Sequence, residues 1–364
     1  MPGNQEFPRF TAAAVQAGPI VRDAPEWFDL KGPLDKAVSL ITEASKEGAR
    51  LIVFSETWLP CYPYFCLDLA DRRGFNEIWA QLLWNSIEVP GPEVEVLCRA
   101  AKKANAYVVM GLNERDKVYP GRMYNSILYL GPRGEIIGMH RKICITVQER
   151  LFHTPGDGGD NLKAVFDTGI GKLGGSICGE HTQYPLLYNW LMQGIQVHCS
   201  LWPGKAGIEN YVDIATRSLC RIGHTFGILS ATYMPEEAKP KKFYSNCAFN
   251  SPKSLRGGSG IVNPEGEYIA GPVYDQETIV YGDIDLAECD RTRFANNTTG
   301  YYARWDLLNL NVNQATYQPL VPMEAKVASP APESEQVKGL EARIKQLEEQ
   351  IAALTRKKKA TEEK

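Results

Sequence analysis

Long apolar runs are absent from this chain of 364 residues, where no window approaches the roughly 18 apolar residues of a membrane-spanning helix. The start, Met1-Pro2-Gly3-Asn4-Gln5-Glu6, has no basic stretch leading into an apolar one, so the cytoplasm is the expected location and no membrane is expected as a partner. An excess of charge of one sign is missing as well. With 40 Lys and Arg against 43 Asp and Glu the formal net charge is −3, which gives no electrostatic ground for binding nucleic acid. The 5 histidines include no His-x-x-x-His pair and the 32 glycines form no dinucleotide fingerprint, so neither a metal nor an organic cofactor is expected. The 9 cysteines are odd in number and lack the close pairs of a zinc site or a disulfide framework; most read as small buried hydrophobes.

What is present is enough apolar residue, 44%, to bury a large core. From residue 10 to about residue 285, short β-branched or apolar runs alternate with amphipathic stretches, the pattern of an α/β layered fold. Leu34, Ala37, Val38, Leu40, Ile41 and Ala44 form one stripe, which predicts a helix over 33–46 with Gly48 just beyond its end. Strands are expected at 50–54, 106–111, 126–130 and 135–140, a helix at 93–105, and a turn at Gly257-Gly258-Ser259-Gly260. The core domain is expected over 1–322, a flexible linker over 323–335 and a short coiled-coil tail over 336–364. In the tail, Val337, Leu340, Ile344, Leu347, Ile351 and Leu354 alternate steps of three and four.

Three segments carry the chemistry. Cys178 follows an apolar run and small residues in Gly174-Gly175-Ser176-Ile177-Cys178-Gly179-Glu180-His181, the place for a nucleophile at a strand end. A thiol attacks only as thiolate and needs a base or a cation beside it. Glu56, after Leu51-Ile52-Val53-Phe54-Ser55, and Lys142, after Met139-His140-Arg141, can supply both.

These residues resemble the nitrilase branch of the carbon-nitrogen hydrolase superfamily. Phe54-Ser55-Glu56-Thr57-Trp58-Leu59-Pro60 with Tyr62-Pro63 looks like its base segment, His140-Arg141-Lys142 followed by Glu149-Arg150 like its lysine segment, and Gly174 to Cys178 like its nucleophile elbow. Gly300-Tyr301-Tyr302-Ala303-Arg304-Trp305-Asp306 is similar to the branch's C-terminal motif. The resemblance implies an αββα sandwich that pairs as αββα-αββα or grows into spiral homo-oligomers. It implies Glu56 as general base, Lys142 as the cation for developing negative charge, Cys178 as nucleophile and Glu149 as a second carboxylate. The Gly179 N–H would be a further donor and Trp202 a pocket wall; Tyr62, with Trp58, Tyr64 and Phe65, is either aromatic surface near the mouth or plain core or subunit contact. The implied reaction turns an organic small-molecule nitrile, expected to be apolar or aromatic, into acid and ammonia without a cofactor. An amidase, a cyanide hydratase or dihydratase, and a catalytically idle assembly protein are the alternatives.

The chain also departs from the pattern. Gly179 stands where the branch usually has tryptophan, His181 where it has asparagine, and Ile145 where it has proline. Gly179 opens space beside the nucleophile. His181 adds a titratable group that either bears on whether the intermediate loses ammonia or releases amide, or simply hydrogen-bonds a loop. Glu180 is expected to be a buried orienting acid.

Overall fold

The computed structural model describes residues 6–23, 25–64, 75–240, 255–294, 296–317 and 335–362. Strands β1 (Arg9–Gln16), β2 (Ala49–Val53), β3 (Tyr107–Arg115), β4 (Met123–Leu130) and β5 (Ile136–Arg141) belong to one sheet. Strands β6 (Val165–Thr168), β7 (Gly171–Ile177), β8 (Val197–Trp202), β9 (Phe226–Ala231), β10 (Gly257–Val262) and β11 (Tyr268–Tyr274) form a second, and β12 (Thr278–Asp285) returns to the first. The orders are β12-β1-β2-β3-β4-β5 and β11-β10-β9-β8-β7-β6.

Side chains alternate across each strand, so each sheet has two faces to bury. Ala12, Ala14, Leu51 and Val53 point into the space between the sheets, where they meet Leu173, Ile177, Val197 and Ile228. Their neighbours Ala13, Val15, Ile52 and Phe54 point outward against helices α1 (Lys31–Lys46) and α3 (Pro92–Ala104), which precede and follow the shorter α2 (Phe75–Trp84) in the chain. On the far side, Leu186, Leu187 and Trp190 of α4 (Tyr184–Met192) pack with Leu219 of α5 (Glu209–Gly223). The result is an αββα sandwich, closed by the short α6 (Ala287–Arg293).

The parallel pairs β1-β2-β3 and β7-β8-β9 set the site. The carboxyl ends of β2 and β7 lead into Glu56 and Cys178, the end of open α/β sheets at which ligands are bound.

One sequence expectation is corrected. Gly257 to Gly260 opens β10 instead of forming a turn. A Cβ on Gly257 would lie 2.2 Å from Cδ of Gln16 in the opposite sheet, and Gln16 Oε1 accepts the N–H groups of Gly258 and Ser259. The glycines let a side chain reach the backbone of a strand.

The chain divides after Thr316. The second unit contains α7 (Glu335–Glu362); of the expected linker only Glu335 lies within the described residues, and Phe65 lies outside them. Among the described residues no helix is long and apolar enough to cross a membrane.

Candidate active site

Glu56 sits in a tight passage after β2. Phe54 N–H donates to Val109 O at 2.8 Å and Leu59 N–H to Gly111 O at 3.1 Å, so the segment is laced to β3 on both sides of the glutamate. Lys142 leaves β5 with its N–H on Asn125 O at 2.7 Å. Glu149 lies in a short 3-10 turn, Val147–Leu151. Cys178 begins another, Cys178–Thr182, and adopts φ of 48°, the left-handed region that non-glycine residues avoid. The bend turns the thiol out of β7.

The structure brings Glu56, Lys142 and Glu149 together. Lys142 Nζ donates to Glu56 Oε1 at 2.8 Å and to Glu149 Oε2 at 2.7 Å, and all three side chains are buried. An ammonium has three N–H groups, so one remains for a substrate. Asn125 Nδ2 donates to Glu56 Oε1 at 2.7 Å, while Glu56 Oε2 is buried with no hydrogen-bond partner among the described residues. Tyr62 donates its hydroxyl to Glu149 Oε1 at 2.6 Å.

The electrostatics differentiate the two carboxylates. Burial raises Glu56 to about 7, against the pull of Lys142 and with a push from Glu149. Burial also opposes ionisation of Glu149, but Lys142, His153 and Tyr62 outweigh it and hold Glu149 below the usual range. Lys142 loses by burial yet is held well above its ordinary value by Glu56, Glu149 and Cys178. For Cys178, burial and then Glu56 push the thiol well up, while Lys142 and the Gly179 N–H pull it down. The outcome is a thiol that rests protonated and interacts with a carboxyl titrating near neutrality.

A cavity of about 730 Å³ lies beside this group, lined by Ile143, Ile145, Thr146, Arg150, His153 and Gly179 among others; Glu56, Lys142, Glu149 and Cys178 are not among its lining residues, and Gly179 is the chain neighbour of Cys178 that reaches it. Of the residues expected to face substrate, Gly179 lines it. Tyr62 and Trp202 do not: Tyr62 is buried on Glu149, and Trp202 is fully buried, its ring stacked on His181 at 4.9 Å. The aromatic mouth is not formed by Trp58 or Tyr64 either, since both are fully buried and bonded to the carbonyls of Ala17 and Pro203. His181 is held near 4 by burial, so it is neutral, with its ring nitrogens turned to protein groups. Glu180 is a buried orienting acid in geometry: it accepts from Ile177 N at 2.9 Å, Ile143 N at 2.7 Å and pairs with His140 Nε2 at 3.0 Å. It ties the elbow to the loop after Lys142.

Two residues escaped the sequence reading. Asn125 stands beside Ser126 as a polar pair within the fully buried Met123–Leu130 strand, which was a usable signal. His153 lines the cavity, with Nε2 on Asn113 Oδ1 at 2.7 Å, and burial lowers it to about 4. Four positions after Glu149, it had only proximity to mark it. Among the described residues no three His, Cys, Asp or Glu side chains group as metal ligands.

A family model described as carbon-nitrogen hydrolase matches residues 11–294. The chain is 33% identical over 335 residues to a bifunctional nitrilase/nitrile hydratase of Nicotiana tabacum, covering 88% of this chain and 90% of that protein. It is 32% identical over 325 residues to an aliphatic nitrilase of Rhodococcus rhodochrous, covering 85% and 84%. Among solved structures, the NitFhit protein of C. elegans has a TM-score of 0.65 at 18% identity, covering 86% of this chain and 70% of that one. A Saccharomyces cerevisiae member of branch 10 of the nitrilase superfamily has a TM-score of 0.62 at 20% identity, covering 81% and 96%. The structural likeness speaks to the fold and the sequence likeness to the family.

Proposed function

The chain belongs to the carbon-nitrogen hydrolase family and is a hydrolase of carbon–nitrogen bonds, and on that premise we propose that it converts an organic nitrile to a carboxylic acid and ammonia through Cys178. One observation carries the chemistry: Glu56 offers an Oε2 with no partner among the described residues and titrates near neutrality, while Lys142 clamps its other oxygen. Glu56 Oε2 takes the thiol proton as sulfur attacks the nitrile carbon, and the proton passes to nitrogen to give a thioimidate. Developing negative charge on nitrogen meets the free N–H of Lys142 and the Gly179 N–H. Glu56 then deprotonates a water that adds to the carbon, nitrogen leaves as ammonia, and a second water cleaves the thioester and restores the thiol. The sum is one nitrile and two waters to one acid and one ammonia. The names of the relatives support nitrile over amide as substrate.

Assembly belongs to the same proposal. α4 and α5 expose Tyr184, Ile214 and Ile222, and the stretch after α6 exposes Tyr302, Trp305 and Leu308, an apolar surface suited to a second copy of the chain.

The test is ammonia release with acid and amide analysis over aromatic, arylaliphatic and aliphatic nitriles, cyanide and the matching amides, with Cys178→Ala as blank. Ammonia and acid from organic nitriles, absent in the blank, is the expected result. Turnover confined to amides moves the chain to the amidase reading, and turnover confined to cyanide to the hydratase reading.

A further inference from the structure

The mechanism above uses the Gly179 N–H, and that group shares a peptide unit with the Cys178 carbonyl. A trans peptide is planar, with its C=O and N–H pointing in opposite directions. Whatever holds the carbonyl therefore aims the N–H. His181 Nδ1 lies 2.8 Å from Cys178 O. A carbonyl oxygen only accepts, so Nδ1 carries the ring hydrogen and Nε2 is left as an acceptor.

The Nε2 side is equally fixed. Ser200 Oγ lies 2.8 Å and His198 Nε2 3.1 Å from His181 Nε2. Ser200 in turn accepts the indole N–H of Trp202 at 2.8 Å and bonds Thr216 Oγ1 at 2.9 Å. The Trp202 ring stacks on the imidazole at an interplanar angle of 25°. His181, His198, Ser200, Trp202 and Thr216 are all buried. The imidazole thus has one tautomer and one orientation, and it faces the backbone of a residue in a strained conformation.

We propose that His181 is the positioning residue of the nucleophile elbow: by binding the Cys178 carbonyl through Nδ1–H it holds the 178–179 peptide so that the Gly179 N–H points at the reacting sulfur and at the charge that forms on substrate nitrogen. Hydrogen bonding at the carbonyl also polarises the same amide and strengthens its N–H as a donor. The inference rests on Cys178 being the nucleophile of the proposed reaction. His181 itself touches no reacting atom.

Three variants separate aiming from packing. In His181→Asn the amide nitrogen replaces Nδ1, on the same Cγ; in His181→Gln the nitrogen falls at the Nε2 distance; His181→Phe keeps a ring to stack on Trp202 but has no donor. The first readout is the pH dependence of Cys178 alkylation by iodoacetamide, which needs no substrate, followed by mass spectrometry. The second is kcat and KM on the best nitrile, with melting curves as a check on folding. Asn is expected to retain the wild-type alkylation profile and most of kcat. Gln and Phe are expected to raise the apparent thiol pKa by about one unit, making alkylation about 10-fold slower below it, and to lower kcat with little change in KM. Phe behaving as wild type while Asn fails would overturn the proposal in favour of packing, and three unaltered profiles would overturn it outright. If Cys178 in the wild-type protein alkylates no faster than the buried cysteines, the nucleophile reading itself falls, and this inference with it.

Discussion

At the scale of single residues, Glu56 and Glu149 share one lysine and yet differ in acid strength, and this difference predicts a pH profile. As the proposed base, Glu56 can act only when ionised, and burial keeps its proton on until about pH 7. The kcat/KM of the wild-type enzyme should therefore rise through about pH 7 and level off above it. His153 and His181 are both lowered to about 4 and cannot supply that limb. Glu56→Gln should lose about 10²–10⁴-fold in kcat, the usual contribution of a positioned base. A flat wild-type profile between pH 5.5 and 8.5 would contradict the assignment. The stability signs are opposite for the two acids. Between the unfolded value of 4.5 and about 7 the folded state keeps a proton on Glu56 that the unfolded chain releases, so this site lowers stability as pH rises. Glu149, lowered, contributes stability that is present above 4.5 and lost as pH falls through its folded value. Glu56, Lys142 and Cys178 were legible because each follows a recognisable run, whereas Glu149 came from the family resemblance alone. The orientation of Tyr62, His181 and Trp202 was not, since an aromatic side chain near a site reads the same whether it faces the cavity or supports a neighbour from behind.

At the scale of elements, the carboxylate depends on how closely β3 approaches the end of β2. A Cβ built on Gly111 would lie 2.0 Å from Ser55 O and 2.8 Å from Thr57 N, the backbone groups on either side of Glu56. No rotamer can relieve a clash between a Cβ and a backbone oxygen, so either β3 or the glutamate segment must move. Gly111→Ala should cost about 1–3 kcal/mol of stability, the usual range for overpacking, and lower kcat/KM by at least about 10-fold, since small misplacements of a base are expensive. A melting curve and a steady-state assay check both, and an unchanged result in either would show that the contact relaxes without moving Glu56. The stripe of α1 and the run of β2 were visible in the sequence because one face of each is continuously apolar. The start of β10 was hidden because its glycines serve Gln16, a residue more than two hundred positions earlier, and no local pattern reports such a partner.

At the scale of the whole molecule, catalysis and assembly should be separable. The residues proposed to carry the chemistry, Glu56 to Cys178, and the side chains that brace His181, as far as Thr216, lie within the unit Met1–Thr316, whereas α7 belongs to the unit Tyr317–Lys364. Its 28 residues amount to a rod of about 42 Å at 1.5 Å per residue. On it, Leu340, Ile344, Leu347 and Ile351 follow one another at steps of four, three and four and are 63%, 55%, 45% and 63% exposed. A helix whose seam is this open gains most of its stability only when another apolar face covers it. The heptad was legible from spacing alone; the identity of the covering face was not, because a seam of this kind fits a second copy of itself as well as any other apolar stripe. If copies pair through α7, removing 336–364 should leave kcat and KM on the nitrile unchanged while sedimentation velocity shows smaller species or the melting temperature falls. Ile214→Glu, placed on the exposed apolar face of α5, should reduce the assembly further by burying a charge in any contact formed there. A truncated chain that sediments and melts like the full one would exclude a role for the tail in assembly, and truncation that abolishes turnover while the fold persists would show that the two scales are coupled after all.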